Sequence, residues 1–253
     1  MSARWTQEYL CARTGKPVTL LDEVASTNPV AKALPVGTVV VASRQTAGYG
    51  RRKRAFSSEE GGLYFSYKVA PDLPLARVNL ITLAAGVAVV KGLEAYGVRA
   101  RLKYPNDVWV DGKKICGILT ECVLARGRVD SAVIGVGLNV KNTLPAELQG
   151  IATTLSAHVD APLSRGELLA SVCEGIDGLL RSPDRIAPLY RACDALVGRE
   201  IVLKTDGGET PCVYGGIDGD GVMYATRGDE RICVTVGEVT VRPKAEANDR
   251  RSL

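Results

Sequence analysis

The sequence predicts an α+β fold followed by a small all-β module, and three observations carry that prediction. Before Gly198, short β-branched runs follow one another through glycine-containing turns, so most strand pairs should be hairpins. Helical periodicity is confined to a few segments, chiefly residues 75–96 and 163–181. After Gly198, short β-branched runs are separated by Asp206-Gly207-Gly208, Asp218-Gly219-Asp220-Gly221 and Arg227-Gly228-Asp229. A parallel nucleotide-binding fold would need strand–helix alternation, which is weak here.

The elements follow in order. Residues 17–21 are an apolar run ending in acids, a first strand. Ser26-Thr27-Asn28-Pro29 sets three capping residues before a proline, the signal for a helix start. Residues 38–43 are β-branched and bounded by Gly37, a second strand; residues 63–70 make a third. Between them, residues 45–62 hold glycines and cations without periodicity and read as a loop. Residues 75–96 carry apolar side chains at helical spacing without proline, and Gly97 ends them. Strands are expected at 98–103, 108–110, 115–124 and 129–140, with hairpin turns at Asp111-Gly112 and Arg126-Gly127. Helices are expected at 163–181 and 184–196.

Composition bounds the chemistry. A chain of 253 residues with 46% hydrophobic and 24% charged residues can bury a core for one large domain, alone or with a small one. The lone histidine, His158, rules out zinc sites built on several imidazoles. Seven scattered cysteines without a Cys-x-x-Cys pair read as reduced intracellular thiols. The first ten residues hold no signal core, and the apolar run 80–90 is too short for a bilayer. A cytoplasmic protein without a membrane partner is expected.

Four motifs carry polar chemistry. Gln45-Thr46-Ala47-Gly48-Tyr49-Gly50-Arg51-Arg52-Lys53-Arg54 packs four adjacent cations into a glycine-bearing loop. Glycines admit a ligand close to the backbone and arginine forks grip phosphate oxygens, although a solvated basic turn would read the same way. The loop is neither a Walker loop nor a dinucleotide fingerprint. In Lys103-Tyr104-Pro105-Asn106-Asp107, the Asn-Asp pair is either an ordinary turn or two polar groups aimed into a site. Lys113-Lys114 leads into an apolar strand: either both lysines are exposed in the hairpin, which the pattern alone slightly favours, or one alternates inward and meets an anion. Gly135-Val136-Gly137-Leu138-Asn139 puts glycines in a strand, a sign of a bulge or of close approach by a ligand or backbone.

Taken together and in order, these motifs resemble those of the biotin protein ligase family. The matches are S-T-N at 26–28, Q-x-A-G-x-G-R-R-x-R at 45–54, G-L-Y-x-S at 62–66, K-x-P-N-D at 103–107, K-x-x-G-I-L-x-E at 114–121 and G-x-G-x-N at 135–139. The family loop usually reads G-R-G-R-R-G-R, so Tyr49 stands for an arginine and Lys53 for a glycine; Phe56 and Tyr104 stand for usual tryptophans.

The resemblance implies a mixed β-sheet with helices on one face, the class II synthetase-like catalytic fold, plus an SH3-like C-terminal barrel. The division would be 1–196 catalytic, 197–243 SH3-like and 244–253 a polar tail. The implied activity is that of a biotin–[acetyl-CoA-carboxylase] ligase. ATP and biotin are its substrates, Mg2+ accompanies them, biotinyl-5'-AMP is the intermediate, and the acceptor is a lysine of a biotin carboxyl carrier protein. Ser26, Thr27, Asn28, Gln45, Gly48, Tyr49, Gly50, Arg51 and Lys114 would bind biotin. Arg51, Arg54, Phe56, Asn106, Asp107 and Asn139 would bind the nucleotide. Lys114, Arg51 and Asp107 would act in catalysis, with the metal ligands left unassigned. The 45–54 loop would be a lid that orders on ligand binding. Only residues 1–25 precede S-T-N, too few for the winged-helix domain some members carry, so no DNA partner is expected. The family admits a homodimer through the sheet edge.

Two other readings stand beside this one. A lipoate or octanoate transferase of the same superfamily would need a cysteine nucleophile, and Cys116 is the candidate, against its reading as a buried hydrophobe. A nucleic-acid-binding protein is allowed by the net charge of +4. However, residues 44–54 alone hold five cations and no acid, so the rest of the chain nets −1. The basic excess is one loop's worth of charge rather than a diffuse surface.

Overall fold

The computed structural model describes residues 5–205, 208–234 and 240–243; the expected polar tail 244–253 lies outside the described residues. The first sheet contains β1 (Val18–Val24), β2 (Val39–Gln45), β3 (Leu63–Val69), β4 (Arg101–Lys103), β5 (Asp107–Val110), β6 (Lys113–Ala125) and β7 (Arg128–Leu138), in the order β1-β2-β3-β7-β6-β5-β4. β1 and β2 pair in parallel because α2 (Thr27–Ala33) carries the chain across between them. The other neighbours are antiparallel. Both predicted dipeptide turns have positive φ at each central residue, 49° and 74° in both Asp111-Gly112 and Arg126-Gly127. That twist matches the flanking strands and closes tight hairpins.

Strand alternation divides the sheet into two faces. One presents Val39, Val41, Phe65, Ile118, Ile134 and Val136 to the main core. On it lies α3 (Asn79–Glu94), buried along almost its whole length, with α4 (Arg165–Arg181) packed against it. The stretch Leu75–Glu94 is long and apolar enough to cross a bilayer by length and composition, yet here it is the core helix. Burying each Leu or Ile of such a helix contributes about 1.5–3 kcal/mol. The other face is covered differently. α2 lies on it through a small cluster of Ala31, Val40 and Val133. Thus the large helices share one face, and a single short helix occupies the other beside the functional cleft.

Two expectations change at the helices. An unpredicted helix, α1 (Gln7–Thr14), precedes β1; the Thr6 hydroxyl accepts from the Tyr9 amide, and Gly15 ends it at φ 65°. The helix expected over 184–196 is α5 (Ile186–Ala192), only seven residues long. Residues 193–195 instead pair with β4: the Leu102 amide donates to the Cys193 carbonyl at 2.7 Å, and the Ala195 amide donates to the Leu102 carbonyl at 2.8 Å. Strand β4 sits at the sheet edge with unpaired backbone groups, and satisfying them outweighs another helical turn.

The second sheet, β8 (Glu200–Thr205), β9 (Gly208–Ile217), β10 (Met223–Arg227), β11 (Glu230–Val234) and β12 (Thr240–Pro243), has the order β11-β10-β9-β8-β12 and is antiparallel throughout. It docks on the helices. Gly221, at φ 79°, lies so close to α3 that a Cβ there would meet Leu83 Cδ1 at 2.9 Å. Arg191 Nε donates to the Ile217 carbonyl at 2.9 Å, and Arg77 reaches Asp220 at 3.1 Å.

Candidate functional site

A cleft opens on the α2 side of the sheet, between α2, the 45–56 segment and the turn before β5. Its floor exists because three glycines share this face. Gly117 of β6 pairs directly with Gly137 of β7, and Gly135 lies two residues along. Without side chains there, Phe56 lies against Gly137 and Gly117, and Asn28 lies against Gly135. A Cβ at Gly137 would stand 2.5 Å from Phe56 Cε1, and one at Gly135 would stand 2.3 Å from Asn28 Oδ1.

The 45–56 segment is more ordered than its lack of periodicity implies. It folds back as a small hairpin with bridges Gln45–Ser58 and Tyr49–Ala55. The Gly50 amide donates to the Arg54 carbonyl at 2.8 Å, and the Phe56 amide donates to the Gly48 carbonyl at 2.8 Å. At its tip Arg52 and Lys53 both have positive φ, 55° and 56°, where glycine is preferred. The Lys53 ammonium lies 4.3 Å from the centre of the Tyr49 ring.

Cations converge at one end of the cleft. Lys114 Nζ lies 2.6 Å from Asp107 Oδ1 and 5.7 Å from the centre of the Phe56 ring. Lys103 Nζ lies 3.7 Å from Asp107 Oδ2. Arg51 faces Tyr104 and Asp107; burial lowers its pKa, as expected for a guanidinium withdrawn from water. It remains charged at neutral pH. A bulge places Lys114 here. The β5–β6 register shifts between Val108 and Trp109, so Ile115 and Cys116 are both wholly buried in the core while Lys114 lies against Gly117.

The opposite end is a wall of neutral polar groups joined in one hydrogen-bonded chain. Asn28 Nδ2 donates to Glu121 Oε2 at 2.7 Å, and Ser66 Oγ donates to Asn28 Oδ1 at 2.5 Å. The Thr27 hydroxyl lies 2.6 Å from Ser66 Oγ, and the Thr27 amide donates to Gln45 Oε1 at 2.9 Å. Gln45 Nε2 donates to Ser58 Oγ at 2.8 Å, and that hydroxyl donates to the Phe56 carbonyl at 3.2 Å.

Most residues singled out in the sequence meet in this cleft. Ser26, Thr27, Asn28, Gln45, Tyr49, Gly50, Arg51, Arg54, Phe56, Asn106, Asp107 and Lys114 line it. Two do not. Gly48 is buried behind the hairpin, where a Cβ would stand 2.7 Å from Ser58 Oγ; it allows the loop to close. Asn139 lies outside the cleft, donating to the Thr153 carbonyl at 3.2 Å and accepting from Asn142 Nδ2 at 3.2 Å. It holds the segment after β7, whose backbone in turn pairs with Lys114 through Ile151 and Thr153. Asn106 is partly engaged, its amide donating to the Ile118 carbonyl at 2.9 Å.

Other residues of the site were missed. The glycines of the floor signal a bulge or close approach in the sequence, and their spacing of two in β7 marks one strand face. Glu121 stood in a quoted motif without a role. Arg44, counted with the loop's cations, is turned away and pairs with Glu23 at 2.8 Å and Glu59 at 3.3 Å. Cys116 faces the core, and burial raises its thiol pKa strongly, so it is not a nucleophile for this cleft. Among the described residues no cluster of three or more His, Cys, Asp or Glu side chains could hold a metal ion. Asp107 is the carboxylate lining the cleft, and Lys114 occupies it.

The model of the biotin/lipoate A/B protein ligase family matches residues 20–139. The bifunctional ligase/repressor BirA of Bacillus subtilis is 42% identical over 161 residues, covering 60% of this chain and 50% of that protein. The chain thus spans about half the length of the Bacillus BirA relatives it matches. The biotin–[acetyl-CoA-carboxylase] ligase of Mycobacterium tuberculosis is 29% identical over 247 residues, covering 93% of this chain and 89% of that one. Among solved structures, biotin protein ligase from Aquifex aeolicus in complex with biotin and ATP superposes with a TM-score of 0.78 at 29% identity, covering 90% of this chain and 99% of that one.

Proposed function

We propose, for a chain whose residues 20–139 match the model of the biotin/lipoate A/B protein ligase family, that it uses ATP to attach biotin to a carrier-protein lysine by way of biotinyl-5'-AMP. One observation carries this reading: a single cleft joins a neutral hydrogen-bonding wall to a cluster of cations, with an aromatic ring over a glycine floor between them. A ureido ring needs neutral donors and acceptors, which Ser26, Thr27, Asn28 and Gln45 offer. A carboxylate and a triphosphate need cations, which Lys114, Arg51 and Arg54 offer.

The chemistry follows from that layout. A carboxylate oxygen of biotin attacks the α-phosphorus of ATP, and the bond to pyrophosphate breaks. Two anions must approach, so Lys114 and Arg51 offset their repulsion and stabilise the charge that passes to pyrophosphate. Asp107 orients Lys114 across the 2.6 Å contact. Magnesium enters as part of the nucleotide substrate, on phosphate oxygens. In the second step the neutral amine of the carrier lysine attacks the acyl carbon, AMP leaves, and an amide forms. The 45–56 hairpin with Phe56 excludes water from the anhydride between the steps.

The acceptor is a biotin carboxyl carrier protein or domain, supported by the named activity of the Mycobacterium tuberculosis relative. Incubating the protein with biotin, ATP and such a domain tests the reading. Biotin incorporation and pyrophosphate release should both require biotin and ATP. Lys114→Ala should lower the rate about a hundredfold or more. Pyrophosphate release with lipoate and none with biotin would assign the chain to the other branch of its family.

A further inference from the structure

We propose that Glu121 is a positioning residue that fixes the donor–acceptor polarity of the biotin wall and ties it to the loop covering the cleft; this rests on the reading of the cleft as a biotin site. Glu121 itself does not line the cleft. It projects from β6 beneath α2 and receives three groups from two other elements. Asn28 Nδ2 at 2.7 Å and Lys32 Nζ at 2.7 Å come from α2, and the Tyr49 hydroxyl at 3.3 Å comes from the hairpin.

The polarity argument is one of satisfiable directions. Burial works against ionising Glu121, but the bonds from Lys32 and Asn28 outweigh it and lower its pKa. An ionised carboxylate only accepts. It therefore turns the Asn28 amide so that Nδ2 faces Glu121 and Oδ1 faces Ser66. Ser66 then donates to Asn28, which makes it an acceptor for the Thr27 hydroxyl. At the far end the Phe56 carbonyl also only accepts, fixing Ser58 as its donor and Gln45 Nε2 as donor to Ser58. With both ends acceptors, the amide orientations of Asn28 and Gln45 and the directions of the Ser66 and Ser58 hydroxyls are set before a ligand arrives, while the Thr27 hydroxyl lies between two acceptors, Ser66 Oγ at 2.6 Å and Gln45 Oε1 at 3.2 Å. A preset wall recognises a ureido group without first turning its amides.

The same carboxylate holds Tyr49, which stands where the family's loop usually carries arginine. Through that hydroxyl, Glu121 connects α2 to the hairpin that bears Arg51 and Phe56. Removing the negative charge should therefore loosen both parts at once.

Glu121→Gln is the test, because Gln keeps the shape and one acceptor but cannot serve Asn28 and Lys32 together. The Michaelis constant for biotin should rise about tenfold with kcat changed less than about threefold. On an Asn28→Ala background Glu121→Gln should raise that constant by clearly less than it does alone, the remainder being the loosened hairpin. In the protein without ligands, trypsin should cut the 51–54 cluster faster in Glu121→Gln and in Tyr49→Phe than in the wild type. An unchanged biotin constant, effects of Glu121→Gln and Asn28→Ala that multiply independently, or equal cleavage in all three proteins would overturn the proposal. Tyr49→Phe alters only the loop contact and decides the latch even if Glu121→Gln folds poorly. Failure of the wild type to bind biotin in calorimetry would instead remove the reading of the site, while the proteolysis still decides the clamp.

Discussion

At Gly135 a single hydrogen stands where a methyl group would press on Asn28. The Asn28 side chain cannot retreat without losing its bonds to Ser66 and Glu121. Gly135→Ala should therefore destabilise the fold by roughly 1–3 kcal/mol and, under the proposed function, raise the biotin requirement in labelling assays. Gly178 in α4 makes the contrast, since nothing lies within 4 Å of where its Cβ would be. Gly178→Ala should stabilise by up to about 1 kcal/mol through helix propensity alone. Chemical denaturation of the two variants separates them, and equal effects would show that the floor is not crowded. At this scale the sequence was readable in identity but not in direction. The S-T-N residues and Lys114 stand out by type and order, and they line one cleft. That Arg44 turns outward to Glu23 and Glu59, and that Asn139 supports a neighbouring segment, depended on neighbours distant in sequence.

Among the elements, hairpins were legible because their turns are local chemistry. Asp111-Gly112 and Arg126-Gly127 both close as tight turns, yet Arg126 occupies a left-handed position at φ 49° that asparagine tolerates better. Arg126→Asn should raise stability by roughly 0.5–1 kcal/mol, measured as a shift in the denaturation midpoint with an unchanged slope. Unchanged or lower stability would argue that Arg126 makes a compensating contact. The 45–56 hairpin and helix α1 were not legible. The first has no hydrophobic alternation, because its order comes from backbone bridges and from Phe56 reaching the glycine floor. The second is too short for a period to emerge, although Thr6 and Gly15 mark its ends. The shortened α5 reflects competition from a sheet edge that local sequence does not display.

Across the whole molecule, the two sheets meet at a buried acid. Asp194 accepts from the Leu196 amide at 3.0 Å and from the Tyr214 hydroxyl at 3.0 Å, joining the segment beside β4 to strand β9. Burial raises its carboxyl pKa from 3.8 to about 6. Between those values the folded state retains a proton that the unfolded chain has released. Charging Asp194 in the fold therefore costs stability as pH rises through about 4 to 6, and the cost is fully present above that window. Asp194→Asn removes the titration but also alters its hydrogen bonds, a change that does not depend on pH. The stability of the variant relative to wild type should thus climb by up to about 2–3 kcal/mol from pH 4 to 6 and then level. A flat difference, read from urea unfolding at several pH values, would show that Asp194 is not desolvated at this junction.

Turn residues, periodicity and residue type are local properties, so the α+β class, the C-terminal β module and the ordered motifs resembling those of biotin protein ligases are legible in the chain alone. Which face each motif serves depends instead on how the strands pair. Simple alternation would place Lys114 with Cys116 and Ile118 on the core side. The bulge opposite Val108–Trp109 reverses that phase, leaving Cys116 in the core and bringing Lys114 to Asp107 over the glycine floor. One extra residue in a strand flips every side chain before it, and the pairing that creates the bulge lies between strands, not within the sequence of either one.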